Sequence, residues 1–248
     1  MPKKSLFVTE RDLEIFKFLY KRKVASLEQI RQKFFIRRTK SATYKRLENL
    51  CLAGYLKKSG VVFKKRLQVV YSLLEKGFRS LTPRFPYTIH RPILKSDSPA
   101  HDLGLGDLWG RLEACQMVES ISSENMIQTC EELVDNKVMR VARSLHSDGV
   151  VEVDSPKGKF LLAIEYEISD KSASRYTAKL LDYYLATAIP AVLYICGNAR
   201  IRELIFQADG ELGKKFESKV YTCLEENFHA NKAAVEFQSY QGDTFYLK

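Results

Sequence analysis

Three carboxylates stand where a chain could do phosphodiester chemistry. Asp148 follows Ser147 at the head of one β-rich run, and Glu165 and Glu167 flank Tyr166 in the next. Side chains alternate along a strand, so 165 and 167 share a face, and a neighbouring strand can set Asp148 beside them. Carboxylates gathered in this way bind Mg²⁺ or Mn²⁺, which orients a water and neutralises charge at a phosphodiester. Asp148 and Glu165 are therefore candidate metal ligands, and Asp148, Glu165 and Glu167 candidate catalytic groups. Such a site also wants a cation near the developing charge. Lys171, Arg175 and Lys179 follow the second run. Arg175, Lys179 and Tyr183 recur at intervals of four, on one helical face. Lys179 is the candidate phosphate-facing cation. The plainer alternative is that Arg175 and Lys179 are solvated or paired with Glu165 and Glu167.

The elements that must position these residues read as follows. AHDLGLGDLWGRLEACQMV is expected to be a helix, with Leu105, Leu108, Leu112 and Cys115 inward. MIQTCEE, near residues 126–132, is a polar strand candidate. Residues 149–153 and 159–168 read as strands joined by the turn DSPKGK. SASRYTAKLLDYYLATA is an amphipathic helix, AVLYICGN an apolar buried strand, and RIRELIFQ another helix. The order is αβββαβ. The tail EFQSYQGDTFYLK alternates apolar and polar residues and reads as an edge strand open to pairing.

Charge divides the chain. Through Lys95 it carries 24 Lys/Arg against 6 Asp/Glu; from Ser96 onward it carries 16 against 24. A net charge of +18 on the first body, against −8 on the second, implies a polyanionic partner for the first and a different task for the second. Four of the seven prolines fall at 83, 86, 92 and 99, which predicts an extended connector over the stretch 78–100. The expected division is residues 1–82, a linker over 83–100, and residues 101–248: a two-domain α/β (α+β) protein. Five scattered cysteines with no CxxC pair predict reduced, buried thiols in a cytoplasmic protein. No apolar run is long enough to span a membrane, and MPKKSLFVTERD lacks the apolar core of a secretory leader.

Within the basic body, Thr9 with Asp12 makes a capping-box variant before RDLEIFKFLYKR. Ser26 caps SLEQIRQKFF. Ser41 is expected to cap a third helix with Leu47 and Leu50 inward, closed by Gly54. Residues 55–57 and 68–73 read as two strands, with the basic segment between them as their connection. Three short helices followed by a basic hairpin resemble a winged helix-turn-helix, on the spacing of Leu47, Leu50 and Gly54-Tyr55-Leu56, then Val70-Tyr71-Ser72-Leu73 and Gly77. That resemblance implies a third helix in the major groove of double-stranded DNA and a wing along the backbone. Thr39, Lys40, Ser41, Tyr44 and Lys45 would face the groove, Lys64, Lys65 and Arg66 would lie on the wing, and Arg37 and Arg38 would clamp phosphates. The alternative is a solvated basic face or a protein-docking wing.

The acidic body resembles the restriction-endonuclease-like, or PD-(D/E)XK, fold, on Ser147-Asp148 and Glu165-Tyr166-Glu167. It departs from that pattern at Ser147, where proline is usual, and at Glu167, where active members keep lysine. Together the two bodies resemble the replication-relaxation family of plasmids and mobile elements. The resemblance rests on the GYL and VYSLLEKG segments, AHDLGLGDL, SDG, and AIEYEIS followed by a basic helix and KLLDYY. It implies a DNA-associated role in the replication, maintenance or transfer of such an element, with Glu167 a family trait and His101 a candidate site residue; a part in transcription control is a further expectation for the basic, winged-helix body. Three functions follow as expectations. The first is a double-stranded-DNA-binding protein whose nuclease-like domain lacks full catalysis. The second is a metal-dependent (nicking) endonuclease using Asp148 and Glu165. The third is a winged-helix regulator whose acidic domain docks a protein, either a replication or transfer partner or a second copy in a homodimer.

Overall fold

The computed structural model describes residues 6–230 and 234–248. Residues 1–5, which carry part of the argument against a leader, lie outside the described residues. The chain divides into two compact units. The first comprises residues 1–108 and 129–131, the second residues 109–128 and 132–248. The mixed α/β architecture expected from the sequence is what the structure shows.

The first unit opens with α1 (Glu10–Arg22), β1 (Val24–Ser26), α2 (Leu27–Phe34) and α3 (Lys40–Leu52). The capping boxes at Thr9–Asp12 and Ser26–Gln29 are both formed. The cap of α3 is Thr39, not Ser41: the Thr39 hydroxyl accepts from the Ala42 N–H at 3.2 Å, so Ser41 falls inside the first turn. At the other end Gly54, at φ 77°, lets the Tyr55 N–H reach the Leu50 carbonyl and its own N–H reach Cys51.

Next come β2 (Leu56–Phe63) and β3 (Arg66–Leu73), paired antiparallel in full register from Leu56↔Leu73 to Phe63↔Arg66. The strands are therefore much longer than expected, and residues 58–63 lie in the ladder instead of a connection. The turn is only Lys64-Lys65, both with positive φ (47° and 62°), positions where Asn-Gly is the usual signal. Lysines hid the turn. β1 joins the outer side of β3, giving the order β1-β3-β2. The expected extended link starts later than its composition implied. Residues 75–84 form α4 (Glu75–Leu81) and a single 3-10 turn (Thr82–Arg84), because Phe78 and Leu81 are buried and hold the helix down. α5 (Pro99–Leu112) begins in the first unit and ends in the second.

The second unit continues with β4 (Val118–Ser123), α6 (Glu124–Thr129), α7 (Lys137–Ser144), β5 (Gly149–Ser155), β6 (Gly158–Glu167), α8 (Ala173–Leu185), β7 (Val192–Cys196), α9 (Ala199–Leu212), β8 (Val220–Leu224), α10 (Glu225–Ala230), β9 (Val235–Gln238) and β10 (Thr244–Leu247). The strand expected near 126–132 is instead the end of α6 through Thr129, a single bridge from Cys130 to Ile89 and the start of a 3-10 turn at Glu132; Met126 and Ile127 are adjacent and both buried, which the alternation of a half-buried strand forbids. The first strand of the order lies earlier, at β4. The sheet order is β10-β9-β8-β7-β6-β5-β4, parallel across β6-β7-β8 and antiparallel elsewhere. α8 and α9 are the crossovers of the parallel strands. Tyr176, Leu180, Tyr183 and Tyr184 of α8 and Ile201 and Ile205 of α9 pack on Ala163, Val192, Tyr194 and Val220. That packed face is where the acidic residues emerge.

Candidate functional site

The register of β5 against β6 decides the acidic site. Gly149 pairs with Ile164, so Asp148, one residue before β5, falls opposite Glu165. The pleat sends Glu165 to the same face as Ala163, which packs against α8. Two helical positions four apart on α8 then close over it. Lys179 Nζ lies 3.2 Å from Glu165 Oε1, and the Tyr183 hydroxyl donates to the same oxygen. Lys179 also donates to the Leu145 carbonyl at 2.5 Å, and Tyr183 shares a hydrogen bond of 2.5 Å with the buried Ser147 hydroxyl. Just before β5, Asp148 Oδ2 accepts from the Tyr166 N–H of β6 at 2.7 Å.

Electrostatics follow from that geometry. Burial is the largest influence on Glu165, and the charge of Asp148 adds to it; Lys179 and Tyr183 oppose both, and the carboxyl settles at about 7. Burial, reinforced by the charge of Glu165, holds the Tyr183 phenol well above its ordinary value. Tyr194, opposite Glu165 on β7, is pushed up in the same way.

Glu167 is buried on the same strand but has its own partners: the Lys171 ammonium and the Ser169 hydroxyl, the latter at 3.1 Å. Of the three cations that sequence reasoning offered, Lys179 therefore meets Glu165, Lys171 meets Glu167, and Arg175 is exposed. Among the described residues no group of three or more His, Cys, Asp or Glu is arranged to hold a metal ion. Glu165 Oε1 already accepts from an ammonium and a phenol, so a divalent cation would compete with those two donors for that oxygen. His101 lies 3.7 Å from Asp102, within the first unit.

The second candidate surface lies on the first unit. Arg37, Arg38, Lys40, Ser41, Tyr44, Lys45, Lys64, Lys65 and Arg66 are all exposed. Their scaffold is tied together by two ion pairs. Arg46 of α3 donates to the fully buried Asp12 of α1, through Nε at 3.0 Å and through a second nitrogen. Burial opposes ionisation of Asp12, but the bonds from Arg46 and Thr9 win and hold it below the usual carboxylate range. Lys58 of β2 bridges to Glu48 of α3 at 2.8 Å and to the Tyr44 hydroxyl at 2.8 Å. Lys58 and Arg46 were missed by sequence reasoning: one sits in a strand read as a loop, the other on an inward face, and no local spacing signals either contact.

Four of the five cysteines are buried, Cys51 is half-buried, and all are free thiols. No helix of the described residues is long and apolar enough to cross a membrane. A family model described as replication-relaxation matches residues 16–188. Comparison with curated proteins and with solved structures gave no match.

Proposed function

The chain belongs to the replication-relaxation family, and from that premise we propose that it is a double-stranded-DNA-binding protein in the replication of a plasmid or other mobile element. The first unit acts as a winged helix: α3 enters the major groove and the β2–β3 hairpin lies along the backbone. The observation that carries this reading is the pair of exposed basic rows, Lys40 and Lys45 on α3 and Lys64–Arg66 at the hairpin tip, which Lys58 joins through Tyr44 and Glu48. Phosphate contacts from these rows supply affinity, and few side chains remain to read bases. Fluorescence anisotropy of a labelled duplex, titrated at low and at physiological salt, tests it. Binding that weakens steeply with salt supports the reading; no binding at low salt sinks it.

The second unit, on this proposal, is nuclease-like in plan but held shut. Glu165, the residue a metal would need, is neutralised from within by Lys179 and Tyr183. A second reading, an endonuclease, draws on one specific observation: Asp148 stands opposite Glu165 with an ammonium at hand. Supercoiled plasmid incubated with Mg²⁺ or Mn²⁺ decides between them. Nicking or linearisation that disappears in Asp148→Ala favours the enzyme; plasmid left intact with either metal favours the closed site.

A further inference from the structure

A basic cleft on the first unit goes beyond the residues so far assigned to DNA. It is open, about 430 Å³ in volume, and lined by Arg11 of α1, Lys33 of α2 and the α2–α3 turn, where Phe35, Ile36, Arg37 and Arg38 lie. Four cations and no carboxylate line it. Of the acids on α1 and α2, Glu10 pairs with Arg84, Asp12 with Arg46 and Glu28 with Arg31, while Glu14 is exposed.

The turn is built to hold this shape. The Phe35 N–H closes α2 on the Arg31 carbonyl at 2.9 Å, and the Arg38 N–H returns to the Phe35 carbonyl at 2.8 Å. Phe35 is only 3% exposed, and the Arg11 guanidinium lies 4.2 Å above its ring centroid. That stacking fixes a cation at the rim at low entropic cost. The 13-residue α3 starts immediately after the turn, so its positive dipole end adds to the same field. Ile36, 76% exposed, offers an aliphatic surface beside the charges.

We infer that this cleft is a second nucleic-acid contact, which takes a phosphodiester segment of the duplex backbone flanking the stretch read by α3. Planar guanidinium groups match phosphate oxygens, and an exposed aliphatic side chain suits the adjoining deoxyribose. The inference rests on the DNA-binding reading and extends it by two residues, Arg11 and Lys33. Neither lies on the recognition helix or the hairpin.

The test is the double variant Arg11→Met/Lys33→Met, which keeps the packing over Phe35 and removes both charges. Thermal unfolding confirms that it folds, and Lys33→Met alone serves where Arg11→Met does not. Duplex anisotropy is then followed between about 50 and 200 mM salt, where each lost phosphate contact removes about 0.9 from the log–log slope. The expected result is a slope shallower by about 2 and affinity weaker by about tenfold, uniform across duplex sequences. A slope and affinity equal to wild type overturn the cleft while leaving the DNA-binding reading intact. Wild-type protein that fails to bind duplex overturns both.

Discussion

The Lys179 ammonium stands 3.2 Å from Glu165 Oε1 and also donates to the Leu145 carbonyl at 2.5 Å. A cation supplied by the helix after the strand thus balances a carboxylate that strand register sets against Asp148. Glu167, two residues further along the same strand, is balanced separately by Lys171. The acidic face is internally compensated.

Removing the compensation is costly at high pH. Glu165 is 12% exposed and Lys179 30%, so Lys179→Met strands a mostly buried carboxylate. Urea unfolding at pH 8 is expected to show a loss of about 1–3 kcal/mol, the usual penalty for a buried group left without its partner. The loss shrinks toward pH 5.5, because Glu165 takes up a proton and no longer needs the cation. The double variant Lys179→Met/Glu165→Gln recovers most of the stability at pH 8. An equal loss at both pH values would show that Lys179 acts through packing alone.

Asp12 and Arg46 join α1 to α3, the helix proposed to meet DNA. Asp12→Asn is expected to destabilise the protein by about 2–4 kcal/mol, since it leaves the Arg46 guanidinium against a neutral group in a buried site. The Asp12 carboxyl is held below its ordinary value of 3.8. Its contribution is therefore present above that pH and lost as pH falls through the folded value. Acid unfolding of wild type should show this loss and that of the variant should not.

The hairpin turn offers a split between stability and binding. Lys64 and Lys65 both hold positive φ, which costs a non-glycine residue energy. Lys64→Asn/Lys65→Gly is expected to raise stability by about 0.5–1 kcal/mol and to reduce the salt slope of duplex binding by about 2. Chemical denaturation and anisotropy read the two effects separately. A variant that gains stability and binds duplex unchanged removes the hairpin tip from the interface.

Asp209 is fully buried between α8 and α9, accepting from the Tyr184 hydroxyl and, at 3.5 Å, from Ser218. Burial raises its pKa to about 6 from an ordinary 3.8, against the pull of those two hydroxyls. Between those values the folded state holds the extra proton. Stability from this group is complete below the ordinary value and lost as pH rises through about 6, by up to about 3 kcal/mol at ~1.4 kcal/mol per unit. Glu165 acts in the same direction, at about 7. Asp209→Asn keeps an acceptor for Tyr184 and should flatten the fall in melting temperature between pH 4 and pH 7. An unchanged pH profile would contradict this.

What the sequence disclosed follows from the range of the interactions. The capping boxes at Thr9 and Ser26, the Gly54 stop, and the strands from Gly149 and through Glu165 were legible because each signal lies within a few residues. The facing of Asp148 and Glu165 was legible as a possibility, but its fact depends on a register of 149 against 164 that no local spacing fixes. The Lys179–Glu165 pair was among the alternatives because 165 and 179 are separated by one strand end and two helical turns. The hairpin was misread because Lys64-Lys65 carries none of the usual turn chemistry. α6 differs from the strand expected there because Met126 and Ile127 are buried side by side, a fact of tertiary packing that its short polar sequence does not signal. Arg46–Asp12 and Ser147–Tyr183 join residues more than thirty positions apart, and nothing in the chain announces them.

The decisive measurement is the salt dependence of duplex binding for wild type beside the variant Lys40→Ser/Lys45→Ser/Lys64→Ser/Lys65→Ser/Arg66→Ser. Binding through α3 and the hairpin requires a steep slope in wild type and one shallower by about 4–5 in the variant, near 0.9 per phosphate contact removed. Wild type that ignores salt, or a variant that binds with the wild-type slope, would contradict a DNA interface on this face of the first unit.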